Sequence, residues 1–215
     1  MIRLFSVTIL LITPSLVFGD ASPFGKYSLG FGYSYNWDEF DRFDGHSLSI
    51  GGGFPIASKL DLGLSAGYGF GESTYSSPFF HEEYSSLGVG LGVDTYHKFE
   101  LQNSVIDCFA LYGSGALGLS RYSYEATGIT PFENSETRFT YSLGFGAGVS
   151  LAERFWLSTG FGFSDYINKD YDEIFRWGLG VSFFITDNFY VGAGYSRRLN
   201  YVLQQSVSLS TGYEW

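Results

Sequence analysis

From Tyr27 onward the chain alternates, residue by residue, between bulky apolar side chains and glycine or serine. In KYSLGFGYSYNW, Tyr27, Leu29, Phe31, Tyr33, Tyr35 and Trp37 fall on one face, against Ser28, Gly30, Gly32, Ser34 and Asn36 on the other. A period of two belongs to an extended strand, whose successive side chains point to opposite faces. The pattern returns in ten segments, among them Lys59–Phe70, Ser85–Tyr96, Arg138–Leu151 and the C-terminal SVSLSTGYEW. Only Val105–Ser120 is ambiguous, because Phe109, Leu111, Leu117 and Leu119 share a face with Gly113 and Gly115, and a bulge is expected there. No helical period appears beyond the first residues, and glycine at 29 positions argues against helices, at about 1 kcal/mol per interior glycine. Regular strands after short connections read as an antiparallel up-and-down meander.

The direction in which the two faces point is settled by their sizes. A soluble barrel would have to pack its bulky face inside, yet 22 Phe, 17 Tyr and 4 Trp are too much volume for a small lumen. Its glycine and serine face would make a poor solvated exterior. Turning the barrel inside out removes both difficulties, with apolar residues against lipid and small residues in the lumen. Closure satisfies the strand edges, which lipid does not tolerate open. Most segments supply the about 9–11 residues that a tilted transmembrane strand needs. The expected fold is therefore all-β, an antiparallel up-and-down transmembrane β-barrel of ten strands, with eight as the alternative count.

The first residues read as an address. In MIRLFSVTILLITPSLVFGDA a single Arg3 precedes an apolar run from Leu4 to Leu16, followed by small residues at Gly19 and Ala21. This is the order of a secretory signal peptide, cleaved after Gly19 or after Ala21, and the run is too short to span a bilayer as a helix. Residues 1–21 are thus expected to be removed and residues 22–215 to form the barrel domain. One cysteine, Cys108, excludes an internal disulfide. A net charge of −10 disfavours nucleic acid as a partner.

Read in register, the lumen face carries a sparse set of charges: Arg138, Arg176 and Arg198 near one end, Asp61, Asp94 and Glu214 near the other. Two readings stay open. The arginines form a constriction favouring anionic solutes, or the charges form an internal network that satisfies itself and plugs a narrow barrel. The longer connections are read at 37–46, 71–84, 121–137, 165–174 and 197–203, and they hold most of the acids: Asp38, Glu39, Asp41, Asp44, Glu72, Glu82, Glu83, Glu125, Glu133, Glu136, Asp165, Asp170, Asp172 and Glu173. Such acids can bridge anionic lipopolysaccharide through divalent cations, or simply form a solvated, mutually repelling surface. Spacing typical of a calcium loop is absent, no metal site or cofactor is expected, and catalytic motifs are missing. His81 beside Glu82 and Glu83 is the one conceivable acid–base group, so an enzyme is not expected and an outer-membrane hydrolase is the weakest alternative.

The whole stretch after the leader resembles the small, single-chain outer-membrane β-barrel proteins of Gram-negative bacteria, the group that includes the OmpA transmembrane domain and OmpX. The last strand carries the resemblance most specifically: Val207, Leu209, Thr211, Tyr213 and Trp215 alternate and end on an aromatic. This looks like the signal by which the barrel-assembly machinery recognises its clients. The resemblance implies a monomer in the cell outer membrane, in contact with lipid and lipopolysaccharide, with both termini in the periplasm. Its implied role is structural or surface-interacting, with a narrow small-solute pore as the alternative. The best-known small members have eight strands, against the ten read here.

Overall fold

The computed structural model describes residues 24–39, 43–74, 80–101, 106–128, 132–152, 154, 155–167, 173–200 and 204–215. The leader and its cleavage points lie outside them. All regular structure among them is strand: β1 Ser28–Asp38, β2 Phe43–Ala57, β3 Leu60–Thr74, β4 Phe80–Glu100, β5 Ile106–Gly128, β6 Phe132–Leu151, β7 Phe155–Tyr166, β8 Ile174–Phe184, β9 Phe189–Arg198 and β10 Gln204–Glu214. Each pairs antiparallel with its neighbours in sequence, and β1 pairs with β10 from Ser28↔Glu214 to Asp38↔Gln204, closing the barrel. The count is ten, not eight.

Burial is inverted relative to a soluble protein. Leu87 is 63% and Phe145 65% exposed, while Ser86, Ser142, Ser164 and Ser182 on the opposite register are buried. The exposed apolar side chains form a continuous band, including Leu29, Ile50, Leu64, Val89, Leu91, Leu117, Leu143, Leu179 and Leu209. In water that band would be costly; against lipid it anchors the barrel. Leu91 lies mid-band between Leu64 and Leu117. Leu91→Arg is expected to destabilise the barrel by about 2–4 kcal/mol, measured as a lower urea midpoint in lipid vesicles.

The strands differ in length, and this corrects the connections read from sequence. β1 and β7–β10 span 10–12 residues, whereas β4, β5 and β6 have 21, 23 and 20. Because about 9–11 residues cross the bilayer, the surplus projects beyond it. Most of the stretch 121–137 belongs to strands, β5 running to Gly128 and β6 starting at Phe132. His46 lies within β2 and His97 within β4. Alternation of large and small stops at this height because the outward face there meets water rather than lipid: Arg121, Ser123 and Glu125 replace Leu117 and Leu119.

Two local irregularities interrupt the ladders. The register shift expected within Val105–Ser120 falls between Ile106 and Cys108; from Cys108 to Ala126 the β5–β6 register runs unbroken, so Gly113 and Gly115 face outward. β2 continues through Pro55, with a shift between Pro55 and Ala57. A proline cannot donate to the ladder, and a bulge at a strand end accommodates it.

The lumen and its two closures

Ten strands place the start of β1 and the end of β10 at the same rim, called here the turn end; the longer hairpins mark the loop end. The small-residue register forms the lumen wall, and charges and aromatic rings collect at each end of it.

At the turn end, the segment before β1 folds into the lumen. Gly25 makes this turn possible with φ of +90°, a conformation that side-chain-bearing residues rarely adopt. Phe24 then stacks on Tyr96 (4.6 Å between ring centroids), lies 5.6 Å from Tyr112 and meets Trp156 edge-on at 6.0 Å. Trp156 and Ala110 are buried beneath it. Polar contacts hold the segment in place. The Gly25 N–H donates to Asp61 Oδ2 (3.0 Å), and Lys98 Nζ donates to the Phe24 carbonyl (3.0 Å). Lys26 Nζ pairs with Glu214 Oε2 at 3.3 Å, and the Glu214 side chain is fully buried. The backbones of Tyr27 and Trp215 exchange two hydrogen bonds, and their rings stack at the rim.

At the loop end, Arg138 is 0% exposed. Its guanidinium carbon lies 4.1 Å over the Tyr122 ring and within 6 Å of the Tyr124 and Tyr166 rings. Nε donates to Glu136 Oε1 at 2.5 Å, and the same arginine donates to the Tyr124 hydroxyl. Charge-assisted bonds and ring faces thus replace the water a buried guanidinium loses. Phe43 stacks on Tyr84 at 5.5 Å, with Tyr124 packed against both. Arg176 and Arg198 face inward from β8 and β9, directly opposed in register.

The structure has Arg138, Arg176 and Arg198 toward the loop end and Asp61, Asp94 and Glu214 toward the turn end, all on the small-residue parity of their strands. Asp61 and Asp94 are directly opposed across β3 and β4. What the register reading missed are the partners: Lys26, Lys98, Glu136, and the rings of Phe24, Tyr84, Tyr96, Tyr112, Tyr122, Tyr124, Trp156 and Tyr166. The tyrosines and Trp156 were detectable, since they occupy the small-residue parity of their strands. Phe24 lies in no strand and left no periodic signal.

The acids also rearrange. Asp44↔Glu72, Glu72↔Glu83, Glu83↔Glu125 and Glu125↔Glu133 are successive cross-strand pairs, so five carboxylates form one row across β2–β6. All five are exposed. On the inner side of the same projection, burial raises the pKa of Glu82 above its ordinary value. Like charges directly opposite one another destabilise a sheet. Glu125→Gln, which breaks the row between Glu83 and Glu133, is expected to raise the unfolding midpoint at low salt. The gain should fade near 1 M salt, where the screening length is about 3 Å. Among the described residues, no group of three or more His, Cys, Asp or Glu is arranged to hold a metal ion. His81 stands opposite Thr74 and Thr127 in strand register rather than in a loop, and its side chain lies outside what the structure describes. Val207, Leu209, Tyr213 and Trp215 are all exposed on the outer face of the closing strand or just past it.

Comparisons with known proteins agree with this architecture. The model of the outer membrane protein beta-barrel domain family matches residues 5–174. The translocator domain of the autotransporter NalP from Neisseria meningitidis is 11% identical, with a TM-score of 0.55 over 91% of this chain and 90% of that one. Ail, the attachment invasion locus protein of Yersinia pestis, is 14% identical, with a TM-score of 0.39 over 88% of this chain and 97% of its own. Neisserial surface protein A is 16% identical, with a TM-score of 0.39 over 88% and 96%. At 11% identity the likeness to the NalP translocator domain is one of fold. No curated protein sequence matches. With a lipid-facing apolar wall, a closed ten-stranded meander and a family match over most of its length, the chain belongs to the outer membrane protein beta-barrel domain family and is a protein of the outer membrane.

Proposed function

We propose that the protein is a monomeric, non-conducting outer-membrane barrel with a structural and surface-interaction role. The leader is removed after Gly19 or Ala21, the barrel-assembly machinery recognises the strand ending Val207, Leu209, Tyr213 and Trp215, and the turn end faces the periplasm. The projection of β3–β6 then stands outside the cell, its acidic row repelling anionic neighbours, and the apolar band contacts lipid and lipopolysaccharide. No catalytic step is assigned to any residue, and no cofactor is required.

The observation that carries this reading is the double closure of the lumen. Phe24 with Tyr96, Tyr112 and Trp156 fills one end, and Arg138 with Tyr122, Tyr124 and Tyr166 fills the other. A path for solutes would have to displace rings and break paired charges at both. One feature favours a second reading, a gated small-solute pore: Phe24 belongs to the N-terminal segment rather than to the wall, so it can leave without unpairing a strand. Planar-bilayer recording of refolded protein separates the two. The non-conducting reading expects no current steps from the wild type or from Phe24→Ala, because the Arg138 cluster still blocks the lumen. Steps in Phe24→Ala alone favour the gated pore, and steps in the wild type overturn closure.

A further inference from the structure

We propose that Arg176 and Arg198 form a binding site for a small oxyanion, a phosphate, sulfate or carboxylate group, in the loop-end half of the lumen. The two residues project inward from directly opposed positions of β8 and β9. Arg176 Nε is buried and has no hydrogen-bond partner among the described residues. Among the described residues, the charged side chain directly opposed to Arg176 in register is Arg198, of the same sign. Glu136, the carboxylate of the loop-end closure, is engaged by Arg138 through two of its nitrogens. Tyr166, from β7, also lies against Arg138 rather than taking up the Arg176 donors.

The contrast between these arginines is the argument. Arg138 has everything a buried guanidinium needs: a carboxylate, a hydroxyl and ring faces. Arg176, also facing the lumen, stands opposite a like charge and leaves a donor empty. A buried guanidinium donor left empty beside a second cation is unfavourable unless something negative completes it. A guanidinium presents its donors as a rigid planar fork that matches the oxygens of phosphate, sulfate or carboxylate. Space is available, because Arg176 stands opposite Gly162 on β7, and Gly178 and Gly160 line the same wall below. Arg176 is also only partly buried as a whole, so the lumen reaches it.

The site does not depend on whether the lumen conducts. The test uses refolded barrel in a non-ionic, phosphate-free detergent, titrated with inorganic phosphate against chloride at constant ionic strength. Unfolding midpoints and calorimetric heats are read together. Wild type should show saturable heat and a midpoint that rises with phosphate but not with chloride. Arg176→Gln should lose both while keeping a heat-modifiable gel band, and should match or exceed wild-type stability without phosphate, because one of two repelling cations is gone. Arg176→Lys, which keeps the charge but not the fork, should bind at least about tenfold more weakly, a loss of about 1.4 kcal/mol. Competition by purified lipopolysaccharide would assign the anion to a lipid headgroup, and its absence to a free solute; both outcomes require Arg176. A phosphate response equal to that of chloride in the wild type, or one undiminished in Arg176→Gln, overturns the proposal. Should Arg176→Gln fail to fold, Arg198→Gln and the wild-type comparison decide it.

Discussion

Arg138→Ala is expected to lower the stability of the barrel by about 3–5 kcal/mol, the usual effect of removing one partner from a buried ion pair. The loss has three sources. Glu136 keeps its charge without its counter-ion, the Tyr124 hydroxyl loses its donor, and the space between the Tyr122, Tyr124 and Tyr166 rings is left vacant. Arg138→Met combined with Glu136→Leu should recover most of the loss, since replacing a buried pair by apolar residues of similar volume is often neutral. Urea unfolding of the two single variants and the double variant in lipid vesicles checks this. Additive losses would mean that the pair is not coupled and that Arg138 is solvated rather than clamped. The same measurement bears on function, because a clamped Arg138 holds the loop-end closure together.

Gly148→Ala should cost about 1–3 kcal/mol, the range for forcing extra volume into a packed interior. A methyl group there would come within 2.7 Å of Trp156 Cε2 and 3.1 Å of Cη2. The indole cannot retreat, because Phe24 lies across it and Ala110 is buried against it. Trp156→Ala in the Gly148→Ala background should therefore relieve the strain, so that the second substitution costs less than it does alone. The effect separates two roles of lumen glycine. At Gly148 hydrogen is required so that a ring on the next strand can lie flat on the wall. At Gly113 and Gly115, which face outward, alanine should be tolerated.

Much of this architecture was legible in the sequence, for a physical reason. Inside the bilayer both faces of every strand are constrained at once, lipid demanding bulk on one and the narrow lumen demanding smallness on the other. Leu87 against Gly88, or Phe145 against Gly144, therefore declares orientation as well as strand. The same parity is what let Arg138, Arg176, Arg198, Asp61, Asp94 and Glu214 be read as lumen charges from the sequence. Legibility failed wherever one constraint lapsed. Above the band, water replaces lipid, Ser123 and Glu125 are as acceptable as leucine, and strand residues read as loop. The acidic row was invisible because Asp44, Glu72, Glu83, Glu125 and Glu133 become neighbours only through cross-strand register. Phe24 could not be found at all, since a stopper seated by a turn at Gly25 has no period. Likewise, the sequence shows Arg176 as equal in kind to Arg138, and only the contacts distinguish the satisfied guanidinium from the one with an empty donor.

The central claim is that one register gives the protein its lipid-facing wall and its filled lumen. Its four tryptophans test this most directly, because Trp177 and Trp215 face outward while Trp156 lies within the turn-end closure. Variants keeping a single tryptophan, refolded into vesicles of lipids brominated along the acyl chain, report by fluorescence quenching which indole meets lipid. Strong quenching of Trp177 and little of Trp156 is the expected result. Quenching of Trp156 as strong as that of Trp177 would contradict the register, and with it both the membrane wall and the closed lumen.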